Sequence, residues 1–220
     1  MPDLDEVLAR PIATVVSSNA RRGGVSEVVR VGGDAWPELG GAHGYLKRQT
    51  RYFCRPAWNA FRPTPTSMRE ARSLTRARAR GVPVPEIVLD DADADGRSYL
   101  LTRSIAGAST LRDALAAADA SRRAELIDAT AHAFAMLHRA RIVHGALYDT
   151  HVLIDAAGGV TLIDLEKARG APSPSLAALA DLPRFFRRAR ALSRDEEARV
   201  LDAYPPNEFR LLALWRRFAR

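Results

Sequence analysis

Three groups of residues in this chain have types and spacings that could do chemistry. The first is the polar stretch His144-Gly145-Ala146-Leu147-Tyr148-Asp149-Thr150-His151. It runs into the apolar segment Val152 to Ile154, a Gly158-Gly159 turn and a second apolar segment, Val160 to Ile163, that ends on Asp164. This reads as a loop followed by a strand hairpin that delivers a carboxylate at its edge. A carboxylate at the end of an apolar strand is costly unless it meets a cation, so Asp164 reads as a Mg²⁺ ligand, with a helix or turn cap as the alternative. The second group is the lysines. Of 33 Lys and Arg residues only Lys47 and Lys167 are lysine, and a compact ammonium reaches between phosphates where a forked guanidinium does not. Chance survival of two lysines in an arginine-biased chain is the alternative. The third group is Arg22-Gly23-Gly24-Val25-Ser26, whose backbone N–H groups could cover phosphates because glycine permits close approach. A plain hairpin turn accounts for the same residues.

The elements that position these groups can be read from periodicity and turn chemistry. Ile12 to Ser18 and Val25 to Val31 are rich in β-branched residues around a turn-forming hexapeptide, and Tyr45 to Gln49 forms a third strand that carries Lys47. Arg51 to Thr64 mixes aromatics, Arg and Pro and reads as an ordered loop. A helix starts near Ser67 and runs to about Arg80, where Gly81 and two prolines stop it. Glu70 lies on it, either facing Lys47 or closing a capping box with Ser67. Glu86 to Leu89 and Ser98 to Arg103 are two further strands joined by the acidic turn Asp90 to Gly96. The second half is helical around the loop and hairpin: Thr110 to Ala118, Ser121 to Ala140, Leu176 to Arg190, Ser193 to Ala203 and Asn207 to Phe218.

Composition narrows the classes. Hydrophobic residues make up 47% and charged residues 27%, ordinary values for a globular domain with a buried core. The single cysteine, Cys54, excludes an internal disulfide and a multi-cysteine metal site. No apolar run is long enough to span a bilayer, and the acidic start (Asp3, Asp5, Glu6) is unlike a signal peptide, so a cytoplasmic location is expected. The net charge of +7 suits an anionic partner. A nucleic-acid partner is not expected, because no reader motif is present and the aromatics are not interleaved with the basic runs. In the C-terminal segment Leu211, Leu214, Trp215 and Phe218 share one face, and Arg210, Arg216, Arg217 and Arg220 the other. With the run Arg184, Arg187, Arg188, Arg190, this fits either a last packed helix or an anionic membrane surface.

Taken together and in this order, the motifs Tyr-Leu-Lys-Arg-Gln (45–49), His-Gly-x-Leu-Tyr-x-x-His (144–151) and Ile-Asp-Leu-Glu-Lys-x-Arg (163–169) resemble the bacterial lipopolysaccharide kinase family (Kdo/heptose kinase type). That family is a divergent branch of the protein-kinase-like superfamily, and the similarity runs from about Val25 to Arg190. The resemblance implies an α+β, two-lobed protein-kinase-like fold in one domain over 1–220. A small, mainly antiparallel N-lobe with one helix would span 1–103, and a helical C-lobe 104–220. It also implies ATP and Mg²⁺ as cofactors and a sugar hydroxyl of lipopolysaccharide or another glycolipid as acceptor. Peripheral contact with the anionic cytoplasmic face of the inner membrane would follow from such a substrate.

Residue by residue, the resemblance assigns Lys47 and Glu70, with Gly23, Gly24 and Ser26, to the nucleotide. Asp164 and His151 go to the metal, and His144, Asp149 and His151 to the catalytic loop. Two departures stand out. His151 occupies a place where protein kinases put a metal-binding Asn, and imidazole is a poorer Mg²⁺ ligand than oxygen, so phosphate contact or loop ordering are its alternatives. Ala146 stands where the loop normally carries the proton-accepting Asp. Asp149 is the one nearby carboxylate that could take over, a water-facing turn residue being the alternative. A catalytically impaired pseudokinase is therefore the second reading. Asp181 resembles the buried Asp that anchors such loops. The whole scheme expects the Lys47 ammonium and the Asp164 carboxylate to converge on one nucleotide.

Overall fold

The computed structural model describes residues 2–21, 23–189 and 192–218. Arg22, Arg190 and Arg220, and the side chains of Arg217 and Phe218, lie outside the described set. The chain folds into two compact units, Met1–Thr75 with Pro85–Ser104, and Arg76–Val84 with Ile105–Arg220.

The first unit contains α1 (Leu4–Ala9), β1 (Thr14–Arg21), β2 (Gly24–Gly32), β3 (His43–Thr50), the short pair β4 (Phe53–Cys54) and β5 (Thr64–Pro65), the greater part of α2 (Thr66–Arg78), β6 (Ile87–Ala92) and β7 (Arg97–Arg103). Five strands form one antiparallel sheet in the order β1-β2-β3-β7-β6. Strand alternation sorts the central residues between its faces. Val29, Val31, Leu46, Tyr99 and Leu101 pack with Leu4, Val7, Trp36 and Leu39 as a buried cluster. Lys47 and Gln49 point to the other side and engage α2.

Helix α1 is absent from the sequence reading. Only Leu4 and Val7 of its six residues are buried, too short a pattern to register as periodicity. The 51–64 segment is also more regular than a loop, since Phe53 and Cys54 pair with Pro65 and Thr64, and the Arg72 guanidinium lies 4.4 Å from the Trp58 ring centroid.

The second unit contains β8 (Ser109–Thr110), α3 (Leu111–Ala117), α4 (Ala120–Arg139), β9 (Ile142–Val143), β10 (Val152–Ile154), β11 (Val160–Leu162), β12 (Arg169–Gly170), α5 (Pro174–Arg188), α6 (Arg194–Asp202) and α7 (Arg210–Phe218). Helices α3 to α6 start where side-chain oxygens satisfy backbone N–H groups: Thr110 accepts from Asp113 N, Asp119 from Arg122 N and Ser173 from Leu176 N, while Ser193 and Glu196 close a full capping box. The apolar stripe of α4 buries Leu126, Thr130, Ala133, Phe134 and Leu137. Phe134 meets Phe185 of α5 edge to face at 4.9 Å. The hairpin β10–β11 forms as expected, extended by β8 into a three-stranded sheet.

The last helix differs from its sequence reading. Leu212, not counted in the apolar face, is buried together with Phe209, whereas Leu211 and Leu214 are exposed. Arg216 is occupied by Leu201 O and Asp202. Among the described residues no helix is long and apolar enough to cross a membrane.

This antiparallel sheet with its helix, followed by a mainly helical region, is the α+β arrangement of a kinase-like two-lobed fold.

Candidate active site

In the first unit, Lys47 sits at the centre of β3, opposite Val28 and Leu100. Its Nζ is ion-paired with the Glu70 carboxylate on α2, both side chains being largely buried. The pairing depends on where α2 begins, and Gln49 sets that. Two residues on from Lys47 and on the same face, its Nε2 donates to Thr66 Oγ1 at 2.7 Å and Ser26 Oγ at 2.9 Å, while its Oε1 accepts the Ser67 backbone N–H at 2.9 Å. Ser67 Oγ is bonded to Ser98 Oγ at 2.8 Å. The helix therefore starts at Thr66 and is capped from outside by Gln49. The capping-box alternative for Glu70 does not form, since Ser67 lies within the helix and not at its N-cap, and the Glu70 carboxylate pairs with Lys47. Sequence reasoning missed Gln49 as the support of the α2 start, and its signal was parity: a polar residue two positions from a buried lysine shares its face.

Gly23 has φ +78° in the turn that closes β1 onto β2, where Arg21 pairs with Gly24. A Cβ on Gly24 would lie 2.3 Å from Arg51 O, so side chains are excluded there by backbone packing. Ser26 lies within β2 as the acceptor of the Gln49 amide.

In the second unit, the loop before β10 hangs on Asp181 of α5. Its buried carboxylate accepts the backbone N–H of His144 at 2.7 Å and of Gly145 at 3.0 Å. His138 Nε2 lies 3.3 Å from Asp181 Oδ2, and His138 Nδ1 lies 2.8 Å from Tyr204 Oη. Burial alone would raise the Asp181 pKa, but the hydrogen bond and charge of His138 and the two backbone N–H groups outweigh it and hold it below the usual value. Burial and the Asp181 charge keep the Tyr204 hydroxyl protonated well above its ordinary range. An ionised Asp181 can only accept, so His138 Nε2–H donates to it, and the contact of His138 Nδ1 with Tyr204 extends the chain of hydrogen bonds. The expected loop anchor is thus present, and its extension to Tyr204 was not foreseen.

Within the loop, Gly145 has φ +80°, and a Cβ there would fall 2.7 Å from Lys167 O. Its carbonyl accepts from Arg184 at 2.9 Å. Ala146 is buried, and its carbonyl oxygen lies 2.8 Å from His151 Nδ1. His151 Nε2 faces Asp164 Oδ2 at 3.5 Å. Asp164 adopts a left-handed backbone (φ 61°, ψ 55°), a conformation that Asp visits more readily than most residues and that concentrates at functional sites. A carboxylate and an imidazole at this spacing have the donor types and separation to share one divalent cation, since two bonds of ~2.1 Å span up to ~4.2 Å.

His144 is fully buried, with neither ring nitrogen hydrogen-bonded among the described residues. Burial lowers its pKa to about 4, so it is neutral at physiological pH. Its ring lies nearly parallel to that of His151 at 6.3 Å.

Asp149 is not a water-facing turn residue. It is 2% exposed, and the Arg112 guanidinium of α3 grips both carboxylate oxygens at 2.9 and 3.0 Å. Arg188 of α5 lies over the Tyr148 ring at 4.7 Å. Arg112, Arg184 and Arg188 thus border the loop with their guanidiniums, all three residues being exposed. Sequence reasoning missed Arg112, which lies 37 positions from its partner and reads as an ordinary solvated helix residue.

The model of the lipopolysaccharide kinase (Kdo/WaaP) family matches residues 5–204. No curated protein matches the chain.

Proposed function

Because the chain belongs to the lipopolysaccharide kinase (Kdo/WaaP) family, we propose that it transfers the γ-phosphoryl group of ATP to a sugar hydroxyl of lipopolysaccharide core or a related glycolipid. The observation that carries the reading is the buried Lys47–Glu70 ion pair, because an ammonium oriented by a carboxylate is the device that fixes nucleotide phosphates in kinase-like sites. Gly23 and Gly24 would cover the phosphates, with Ser26 beneath them. Asp164 and His151 would hold a divalent ion, whose chemistry is to neutralise charge on the phosphates. The N-lobe of this scheme is 1–103 and the C-lobe 104–220.

The loop from His144 to His151 would receive the acceptor. Its guanidinium border of Arg112, Arg184 and Arg188 supports an acceptor that carries phosphate or carboxylate groups. Phosphoryl transfer relies chiefly on positioning and charge stabilisation, so the absence of a carboxylate at Ala146 slows it without abolishing it. Asp149 would serve as base only after release from Arg112. In the gripped state it braces the loop instead. His144, neutral and buried, would keep His151 in place. We place the chain at the cytoplasmic face of the inner membrane, a location supported by the exposed Leu211 and Leu214 beside Arg210.

Ala146 favours a second reading, a pseudokinase that binds nucleotide without transferring phosphate. Thermal shift with Mg²⁺-ATP separates the possibilities. Stabilisation of the wild type that disappears in Lys47→Ala and Asp164→Ala, with ATP-dependent phosphorylation of lipopolysaccharide extracts, supports the kinase. Binding without transfer to any extract supports the pseudokinase. Indifference of the wild type to nucleotide refutes both.

A further inference from the structure

A backbone carbonyl can only accept a hydrogen bond, so the 2.8 Å contact between Ala146 O and His151 Nδ1 assigns the ring proton to Nδ1. In the neutral ring Nε2 then carries a lone pair. That lone pair lies 3.5 Å from Asp164 Oδ2, a separation at which the nitrogen and the carboxylate oxygen can converge on one cation. Metal-binding histidines characteristically donate their other ring N–H to a backbone carbonyl or carboxylate, which fixes tautomer and ring orientation. His151 has that arrangement, and its ring has those of Tyr148 at 5.1 Å and His144 at 6.3 Å as neighbours.

We infer that His151 Nε2 and Asp164 form a mixed nitrogen–oxygen pair that takes a first-row divalent transition ion, Mn²⁺ among them, in preference to Mg²⁺. The inference rests on the proposed metal role of Asp164 and goes beyond it in naming the class of ion. Mg²⁺ is a hard ion that favours oxygen ligands and gives up its water reluctantly, whereas imidazole suits transition ions. Replacing an oxygen donor by Nε2 therefore costs Mg²⁺ more than it costs Mn²⁺. Ala146 contributes through its carbonyl, which sets the tautomer whatever side chain the position bears.

The test uses the full chain with Mn²⁺ and a non-hydrolysable ATP analogue. Pulsed electron paramagnetic resonance of the bound Mn²⁺ should show the ¹⁴N modulation of a coordinated imidazole, and His151→Asn should lack it. Competition of Mg²⁺ against bound Mn²⁺ should show a Mn²⁺ preference that falls by at least about tenfold in His151→Asn, the scale on which changes around a metal ligand act. Bound Mn²⁺ without ¹⁴N modulation in the wild type overturns the inference and leaves an imidazolium–carboxylate ion pair as the content of the contact. An unchanged preference in a folded His151→Asn overturns it too. In either case stabilisation by Mg²⁺-ATP would leave the kinase reading standing. Failure of the wild type to bind either metal with nucleotide removes both. The wild-type spectrum carries the decision should the variant not fold.

Discussion

Acidification from pH 7.5 to 5 should destabilise this protein, and His144 should account for a defined part of the loss. The His144 ring is fully buried, and burial lowers its pKa from 6.5 to about 4. The unfolded chain takes up the proton near pH 6.5, whereas the folded chain resists until about pH 4. The stability that neutral His144 confers is thus complete above about pH 6.5 and is lost as the pH falls from there towards 4. At pH 5 the unfolded state has gained about 1.5 pH units of proton binding that the folded state lacks, or about 2 kcal/mol. For a chain of this size that corresponds to roughly 4–8 °C in Tm.

Other groups titrate in both directions. Hydrogen bonding to Arg199 lowers the Asp128 pKa and hydrogen bonding to Arg123 lowers that of Glu196, while burial raises Asp90 and Glu197. The His144 share is therefore read as a difference between wild type and His144→Leu, in which those terms cancel. Unfolding followed by circular dichroism at pH 7.5, 6 and 5 should show the variant losing about 4–8 °C less than the wild type over that range, whatever the offset at pH 7.5. Parallel curves, or an NMR titration of His144 near pH 6.5, would refute the reasoning.

Three further outcomes follow from the same geometry. Asp181→Asn removes the charge that accepts the His144 and Gly145 N–H groups and His138. It should cost about 3 kcal/mol and speed amide exchange at residues 144 and 145, measured by denaturation and hydrogen-exchange NMR. Gln49→Leu strips the Ser67 N–H of its acceptor and should cost about 1–3 kcal/mol, with weaker stabilisation by Mg²⁺-ATP as Glu70 loses its fixed helix. Ala146→Asp restores a proton acceptor to the loop. If transfer is limited by its absence, turnover on a competent acceptor should rise by about 10²-fold or more, provided the variant melts cooperatively. A folded variant with unchanged turnover would mean the base is not limiting.

The parts of the site legible in the sequence are those whose chemistry is announced locally. Lys47 was visible because lysine is rare here and it lies in Tyr45 to Gln49, a segment that reads as a strand after two β-branched ones. Asp164 was visible because a carboxylate ends an apolar hairpin. The α2 helix was visible from its stop signals, although its true start is set by a glutamine on another strand. What escaped were side chains whose role is defined by a distant partner. Arg112 and Asp149 lie 37 positions apart, and a charged residue on the first turn of a helix carries no mark of whether water or a carboxylate faces it. Tyr204 and His138 are 66 apart, and an aromatic near a chain's end reads as surface as readily as core.

The same limitation bears on the loop's chemistry. Sequence offers Asp149 as the substitute for the missing base by proximity alone, a linear criterion. The fold applies a different one: the Asp149 carboxylate is already held on both oxygens by the Arg112 guanidinium through two charge-assisted hydrogen bonds. A loop that buries its one carboxylate in this way, bordered by three exposed arginines of α3 and α5, would suit a ligand that carries negative charge. Its contribution to phosphoryl transfer would then lie in holding an anionic acceptor rather than in deprotonating it. On this view Arg112→Ala should raise the acceptor KM more than it lowers kcat, whereas a kcat that rises with KM unchanged, as the Asp149 carboxylate is released, would return the proton-transfer role to Asp149.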